Sequence, residues 1–248
     1  MTSNFGEEGR RLSYGSYLRV PELLSLQQGM TEAHDELLFI VVHQAYELWF
    51  KVLLHELEGA RDAMFAGEAY AARHYLSRVK VIERLLIEQV EVLETMSPHD
   101  FLAFRSDLAP ASGFQSVQFR ELEFLSGLKN PAYLKRLEAD TDERARLERR
   151  LAEPTIWEAF LSLLERNGSP ALIEIIRDRQ SHPQLFDVAE ALIDHDEAFA
   201  LWRSRHVLMV ERQIGGKTGT GGSTGAQYLR GTLDKRFFPA LWEVRSEL

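Results

Sequence analysis

The sequence predicts an all-α fold, a single helical-bundle domain, and three observations carry that expectation. Apolar residues recur at spacings of three and four along almost the whole chain, and no stretch alternates for long at period two. Helix-start signals punctuate it at intervals. Nothing resembles a repeat or an interdomain linker, so residues 1–248 read as one domain.

The elements follow in order. YGSYL at residues 14–18 places Tyr14, Tyr17 and Leu18 three and four apart on a helical turn, an apolar face too small to fold alone. Thr31 is placed to cap a long helix reaching about Met64, and a second helix runs from about Glu68 to Glu94. Ser97-Pro98, Asn130-Pro131 and Ser169-Pro170 each set a capping side chain before a proline at the first helical position, dividing residues 98–179 into shorter helices. EADTDERARLERR, residues 138–150, is the most polar stretch and reads as a solvated helix or surface excursion. A last long helix begins after Pro183 and stops at Gly215-Gly216, and the segment from Tyr228 is again helical in part.

Composition narrows the function. A net charge of −9 and a pI near 5.5 argue against nucleic acid as partner, because a phosphate backbone needs clustered Lys and Arg. The longest uninterrupted apolar run, Leu37 to Val42, is too short to span a bilayer, and the start MTSNFGEEGRR lacks a signal-peptide pattern. Zero cysteines exclude disulfides, Fe–S clusters, Cys-type zinc sites and CxxCH haem attachment. The expectation is a soluble cytoplasmic protein.

Residues 215–225 hold six glycines, costly to order and suggestive of phosphate cradling, yet the spacing fails. Glu211 stands where Walker A needs glycine before GKT, and Thr224 stands where the dinucleotide fingerprint needs its third glycine. A zinc HExxH pattern fails at Gly59, and no histidine has a Glu three residues before it, as a di-iron bundle would require. What remains is two histidines. Phe39, His43, Tyr46, Phe50 and Leu53 share one helical stripe, and Phe199, Trp202, His206 and Met209 share another. Either histidine alone reads as a hydrogen-bonded core residue. Together they point to a non-covalently held haem, for which one axial histidine suffices, with the opposite histidine on the distal side.

The blocks HDELLFIVVHQAYELWFK (34–51), DFLAFRSDLAPASGFQSVQFRELE (100–123) and RHVLMVERQIGGKTGTGGSTGAQYLR (205–230) carry a family resemblance. The chain resembles the tryptophan 2,3-dioxygenase family from YGSYLRVPELL through YLRGTLDKRFFPALW. It departs in a trimmed polar segment between about 127 and 155 and in GGSTG where many members have GGSSG. The resemblance implies a b-type haem, one per subunit and ferrous when active, in a pocket between long helices, with O2 as co-substrate. His206 is then the axial ligand, and Phe39 to His43 roof the distal pocket. The implied reaction inserts O2 across the indole C2–C3 bond of L-tryptophan to give N-formyl-L-kynurenine, the first step of tryptophan degradation. His43 would accept a hydrogen bond from the indole N–H. Arg105 would hold the substrate carboxylate with Phe101 as an aromatic wall, since only Arg offers a planar fork of donors. Ser112 and Gly113 would support the carboxylate or a haem propionate. Thr220, in GTGGSTG, would fold over the amino acid. The resemblance also implies a homotetramer, a dimer of dimers, in which residues 1–20 reach a neighbouring subunit with Tyr14, Tyr17 and Leu18. Three alternatives stay open: a haem dioxygenase of the same fold acting on a modified tryptophan or other indole, a non-catalytic haem-binding sensor or carrier, and a purely helical interaction protein.

Overall fold

A computed structural model describes residues 13–138, 141–222 and 224–248, so residues 1–12 of the N-terminal arm and Ser223 of the glycine segment lie outside it. The described chain is helical, in the order α1 (Tyr14–Leu18), α2 (Val20–Leu23), α3 (Glu36–Ala66), α4 (Ala69–Glu94), α5 (Pro98–Arg105), α6 (Val117–Ser126), α7 (Asp142–Ala152), α8 (Ile156–Arg166), α9 (Leu172–Arg177), α10 (Pro183–Ile214), α11 (Ala226–Arg230) and α12 (Pro239–Glu243). Short 3-10 turns fill residues 113–115, 131–136 and 244–247.

The architecture rests on three long helices. Helix α4 packs against both α3 and α10, while α8 and α6 cover α3. The stripe periodicity explains which faces meet: Phe50, Leu53, Leu57, Ala60 and Met64 of α3 are buried, as are Leu76, Val79, Ile82, Leu86 and Val90 of α4. The window with mean hydropathy 1.5 within α3 is long and apolar enough to cross a membrane, which the six-residue run did not anticipate, because single polar residues interrupt the run without lowering the average much. In the fold this helix is the bundle's central element, with Glu36 and Glu56 buried on it.

Three boundaries differ from the sequence reading. Thr31 does not cap α3. Glu36, the first residue of α3, instead reaches back and accepts from the Thr31 hydroxyl at 2.6 Å and from the Met30 and Thr31 backbone N–H groups, so the preceding loop absorbs residues 32–35, which periodicity assigned to the helix. Ser97 caps α5 as expected, accepting from the Asp100 N–H. Asn130 accepts from the Ala132 N–H, but the turn that follows is 3-10 rather than α. Ser169 is not a cap: it sits at φ 56° and its N–H closes the end of α8 on the Leu164 carbonyl, so α9 starts only at Leu172, with Glu174 accepting from the Ala171 N–H. The polar stretch forms a helix, α7, from Asp142 onward, but not a freely solvated one. Leu147 and Arg150 are buried against α6, where Arg146 pairs with Glu121 and Arg150 with Glu58 and Glu153.

A buried carboxylate, Asp196, fastens the C-terminal segment to α10, beside the Arg245–Glu190 pair and the Arg203 bond to the Lys235 carbonyl. Asp196, fully buried, accepts through Oδ2 from the Phe237 and Phe238 backbone N–H groups at 3.0 Å each and from the Trp242 indole N–H at 2.9 Å. Removing an acceptor that satisfies three donors strands all three. We therefore expect Asp196→Ala to lower unfolding free energy by roughly 3 kcal/mol or more, measured by urea denaturation. A loss below 1 kcal/mol would show that the segment is held by its other contacts.

Candidate functional site

Between α3 and α10, roofed by α5, the 112–116 segment, α6 and the glycine segment, lies a cavity of about 300 Å³. That size and its mainly apolar walls suit a small-molecule site. His43 and His206 both line it, as do Phe39, Phe101, Arg105, Ser112, Gly113 and Thr220, so the structure gathers every proposed pocket residue except those of the arm. Tyr14, Tyr17 and Leu18 stand on α1 with 79%, 71% and 45% of their surface exposed, and they do not line the cavity of their own chain.

On one wall, the Nδ1 of His43 lies 2.7 Å from the Phe39 carbonyl one turn earlier. A carbonyl only accepts, so Nδ1 carries the proton and Nε2 of the neutral ring is left as an acceptor. The Phe39 ring packs on His43 at 4.0 Å and on Phe101 and Phe104 at 5.8 and 5.6 Å, giving an aromatic shelf around that imidazole. Burial lowers the His43 pKa, against the Phe39 carbonyl and the Glu47 carboxylate, which both favour charge.

On the facing wall, the Trp202 indole stacks on the His206 ring at 5.0 Å and 18°, and Phe119 packs on Trp202 at 5.2 Å. Among the described residues the His206 imidazole makes no hydrogen bond. Enclosure is the main cause that brings its pKa down to about 4, and proximity to His43 acts in the same direction. Both rings are therefore neutral near pH 7, the form that ligates metal.

At the mouth, Arg105 ends α5 and donates to the Thr218 carbonyl of the glycine segment. It pairs with no carboxylate among the described residues. The Thr220 hydroxyl donates to the Ala111 carbonyl at 2.7 Å. Glycine is required at two places here. A Cβ on Gly221 would lie 2.7 Å from the Ser112 Cβ, and one on Gly225, at φ 63°, would lie 2.4 Å from the Lys217 carbonyl oxygen. The segment is thus folded against residues 110–113 at backbone contact, a close approach only glycine permits.

One feature of the cavity wall escaped the sequence reading. Arg120 and Arg203 share a single carboxylate, Glu123, at 2.7 and 3.0 Å, and Arg120 also donates to the Tyr133 hydroxyl, itself bonded to Tyr228. Both guanidiniums thus stand buried in the cavity wall. The signal was present as Arg120 and Glu123 three apart and as Arg203 one turn before His206, but nothing along the chain marks those charges as buried.

These observations test a haem site. A flat group bearing two carboxylates would meet one neutral, unbonded imidazole, apolar faces from Val90, Leu93, Met209 and Val210, and a wall that carries the Arg120 and Arg203 guanidiniums. The residues fit.

In the haem-free protein both histidines bind protons more readily when unfolded, so stability present above pH 6.5 is lost as pH falls toward 4. His206→Phe should flatten that acid limb in urea denaturation between pH 7 and 4. An unchanged limb would show that the ring is not held neutral by its surroundings.

A family model described as tryptophan 2,3-dioxygenase matches residues 2–172 and 160–248. The chain is 56% identical to the tryptophan 2,3-dioxygenase of Nocardioides sp. across 99% of this chain and 98% of that protein. It is 46% identical to that of Herpetosiphon aurantiacus and 40% to that of Caulobacter vibrioides, each across 96% of this chain and 98% of the relative.

Proposed function

The chain belongs to the tryptophan 2,3-dioxygenase family, and from that premise we propose that it inserts O2 across the indole C2–C3 bond of L-tryptophan to give N-formyl-L-kynurenine. The observation that carries this reading is the pair of neutral imidazoles facing one cavity, His43 with Nε2 free to accept and His206 without a protein partner. His206 holds the iron of a b-type haem, one per subunit. The haem, ferrous in the working enzyme, supplies the O2 chemistry. Arg120 and Arg203 offer the charge its propionates need.

The chain's own residues orient the amino acid. His43 Nε2 accepts the indole N–H, while the Phe39 and Phe101 rings wall the indole. The Arg105 guanidinium keeps donors beyond the one given to Thr218, enough to fork onto the substrate carboxylate. The Thr220 hydroxyl spends its proton on Ala111 and so turns lone pairs toward the substrate ammonium. The glycine segment then shuts water out of the site. Ser112 and Gly113 close the carboxylate end.

The assembly is a homotetramer working in the cytoplasm, and exposed apolar surface supports the assembly. Leu24, Leu26, Met30, Leu37, Val41 and Leu48 form exposed apolar surface at the start of α3 and the segment before it, alongside the bare face of α1. The arm's Tyr14, Tyr17 and Leu18 complete the indole pocket of a neighbouring subunit.

The direct test is a visible spectrum of protein purified from haem-replete cells, recorded before and after reductant, tryptophan and O2, with product analysis. A haem band with formation of N-formyl-L-kynurenine is expected. A haem band without product indicates a sensor, and turnover only of substituted indoles indicates a different substrate. Arg105→Lys should weaken tryptophan binding by about 2–5 kcal/mol and leave indoles lacking the carboxylate nearly unaffected, measured by spectral titration. Equal losses would make Arg105 structural. For the arm, a chain lacking residues 1–20 and a full-length His206→Ala chain, each inactive alone, should regain activity as mixed oligomers. Verified mixed oligomers that stay inactive would refute the shared pocket.

A further inference from the structure

His206 lies midway along a stripe of α10 whose two ends are tied to α4 by buried, directional hydrogen bonds. Eleven residues before it, about three turns, stands His195, fully buried. Its Nδ1 donates to Glu83 of α4 at 2.5 Å, and its Nε2 lies 2.9 Å from the Ser126 hydroxyl at the end of α6. The order Ser126, His195, Glu83 is that of a nucleophile, a base and its orienting carboxylate. Ser126, however, is 0% exposed and does not line the cavity, so no substrate reaches it and the trio performs no nucleophilic chemistry. Seven residues after His206, two turns on, Gln213 donates through Nε2 to the carbonyls of Met96 at 2.7 Å and Leu93 at 3.4 Å, at the end of α4 and just beyond it. Both partners accept only, so the amide cannot flip, and its buried Oε1 is left without a protein partner.

Apolar packing between two helices tolerates small rotations about the helix axis, whereas a hydrogen bond of fixed direction at each end does not. The consequence at the site is large. A side-chain atom stands about 5–6 Å from its helix axis, so a turn of about 10° moves it by about 1 Å, while a metal–ligand bond tolerates deviations of about 0.2 Å. We propose that His195 and Gln213 are positioning residues for the reaction: with Glu83 and Ser126 they set the rotation of α10 about its axis, and so the aim of the His206 imidazole into the cavity. This rests on the reading of His206 as the haem ligand. The two pins act as one device because they grip α4 and its end on both sides of the ligand; His195 stands outside the cavity, whereas Gln213 lines it.

The test uses the haem-loaded protein and near-isosteric variants: His195→Phe, Gln213→Met, Glu83→Gln, which keeps an acceptor for Nδ1, and Leu163→Ala, a core deletion in α8 remote from both pins. The readouts are the iron–histidine stretching band of the ferrous protein by resonance Raman and the rate of haem transfer to an excess of an apo-globin acceptor. Expected are a shifted or split band and haem loss about tenfold faster in His195→Phe and Gln213→Met, with Glu83→Gln close to the parent. Leu163→Ala should lower thermal stability without moving the band. If His195→Phe does not fold, Ser126→Ala, which removes the hydroxyl at His195 Nε2 outside the cavity, takes its place, because Gln213 itself lines the cavity. Parental band and haem-loss rate in the two pin variants, or an equal band change in Leu163→Ala, would overturn the proposal while leaving His206 as ligand. Absence of any iron–histidine band in the parent protein would overturn the reading of His206 itself, and this inference with it.

Discussion

The packing of α3 and α10 onto one shared helix, α4, is the constraint on which the remaining structure depends. The two long helices meet chiefly through α4 rather than through each other, and the space left between them is the cavity. Directed bonds fix both contacts. Toward α3, the Tyr46 hydroxyl donates to the Leu86 carbonyl at 2.8 Å and the Gln89 amide donates to the Val42 carbonyl at 3.0 Å. Toward α10, Glu83 holds His195 and the end of α4 holds Gln213. Buried polar groups of this kind add little net stability, but each is costly to leave unpaired, and so they select one register out of many that apolar surfaces alone would allow.

From that frame follow the opposed states of the site's polar groups. The walls around His43 and His206 are apolar and aromatic, and burial among them lowers the pKa of both rings. The cations stand elsewhere: Arg105 at the mouth and Arg120 with Arg203 deep in the wall, the latter two bonded to Glu123. The cavity thus has donors at its edges and dry surface in its middle.

The glycine segment illustrates how loop chemistry completes a helical scaffold. Its backbone runs at contact distance from Ser112 and Lys217, which excludes any side chain at Gly221 and Gly225. By accepting from Arg105 through the Thr218 carbonyl it is tied to the end of α5, and through the Thr220 hydroxyl it is tied to the Ala111 carbonyl.

Periodicity alone determined that the chain is helical, the spans of α4 and α10 to within a residue or two, and the stripes carrying His43 and His206, because an amphipathic helix must repeat at 3.6 residues to bury one face. Local capping chemistry placed α5 correctly at Ser97-Pro98, yet failed at Thr31 and Ser169. In the first case a carboxylate from within the helix, Glu36, caps the loop, and in the second the end of the preceding helix claims the residue. Family resemblance named the pocket residues, while the fold alone brought them to one cavity. Tertiary structure alone decided that Arg120, Glu123 and Arg203 form a buried charged wall, that Leu147 and Arg150 of the most polar stretch are inside, and that His195 and Gln213 grip α4. The physical reason is that burial depends on partners that only the fold brings together, as Arg203 depends on Glu123 and Gln213 on Met96, 80 and 117 residues away, and no local pattern encodes such a partner.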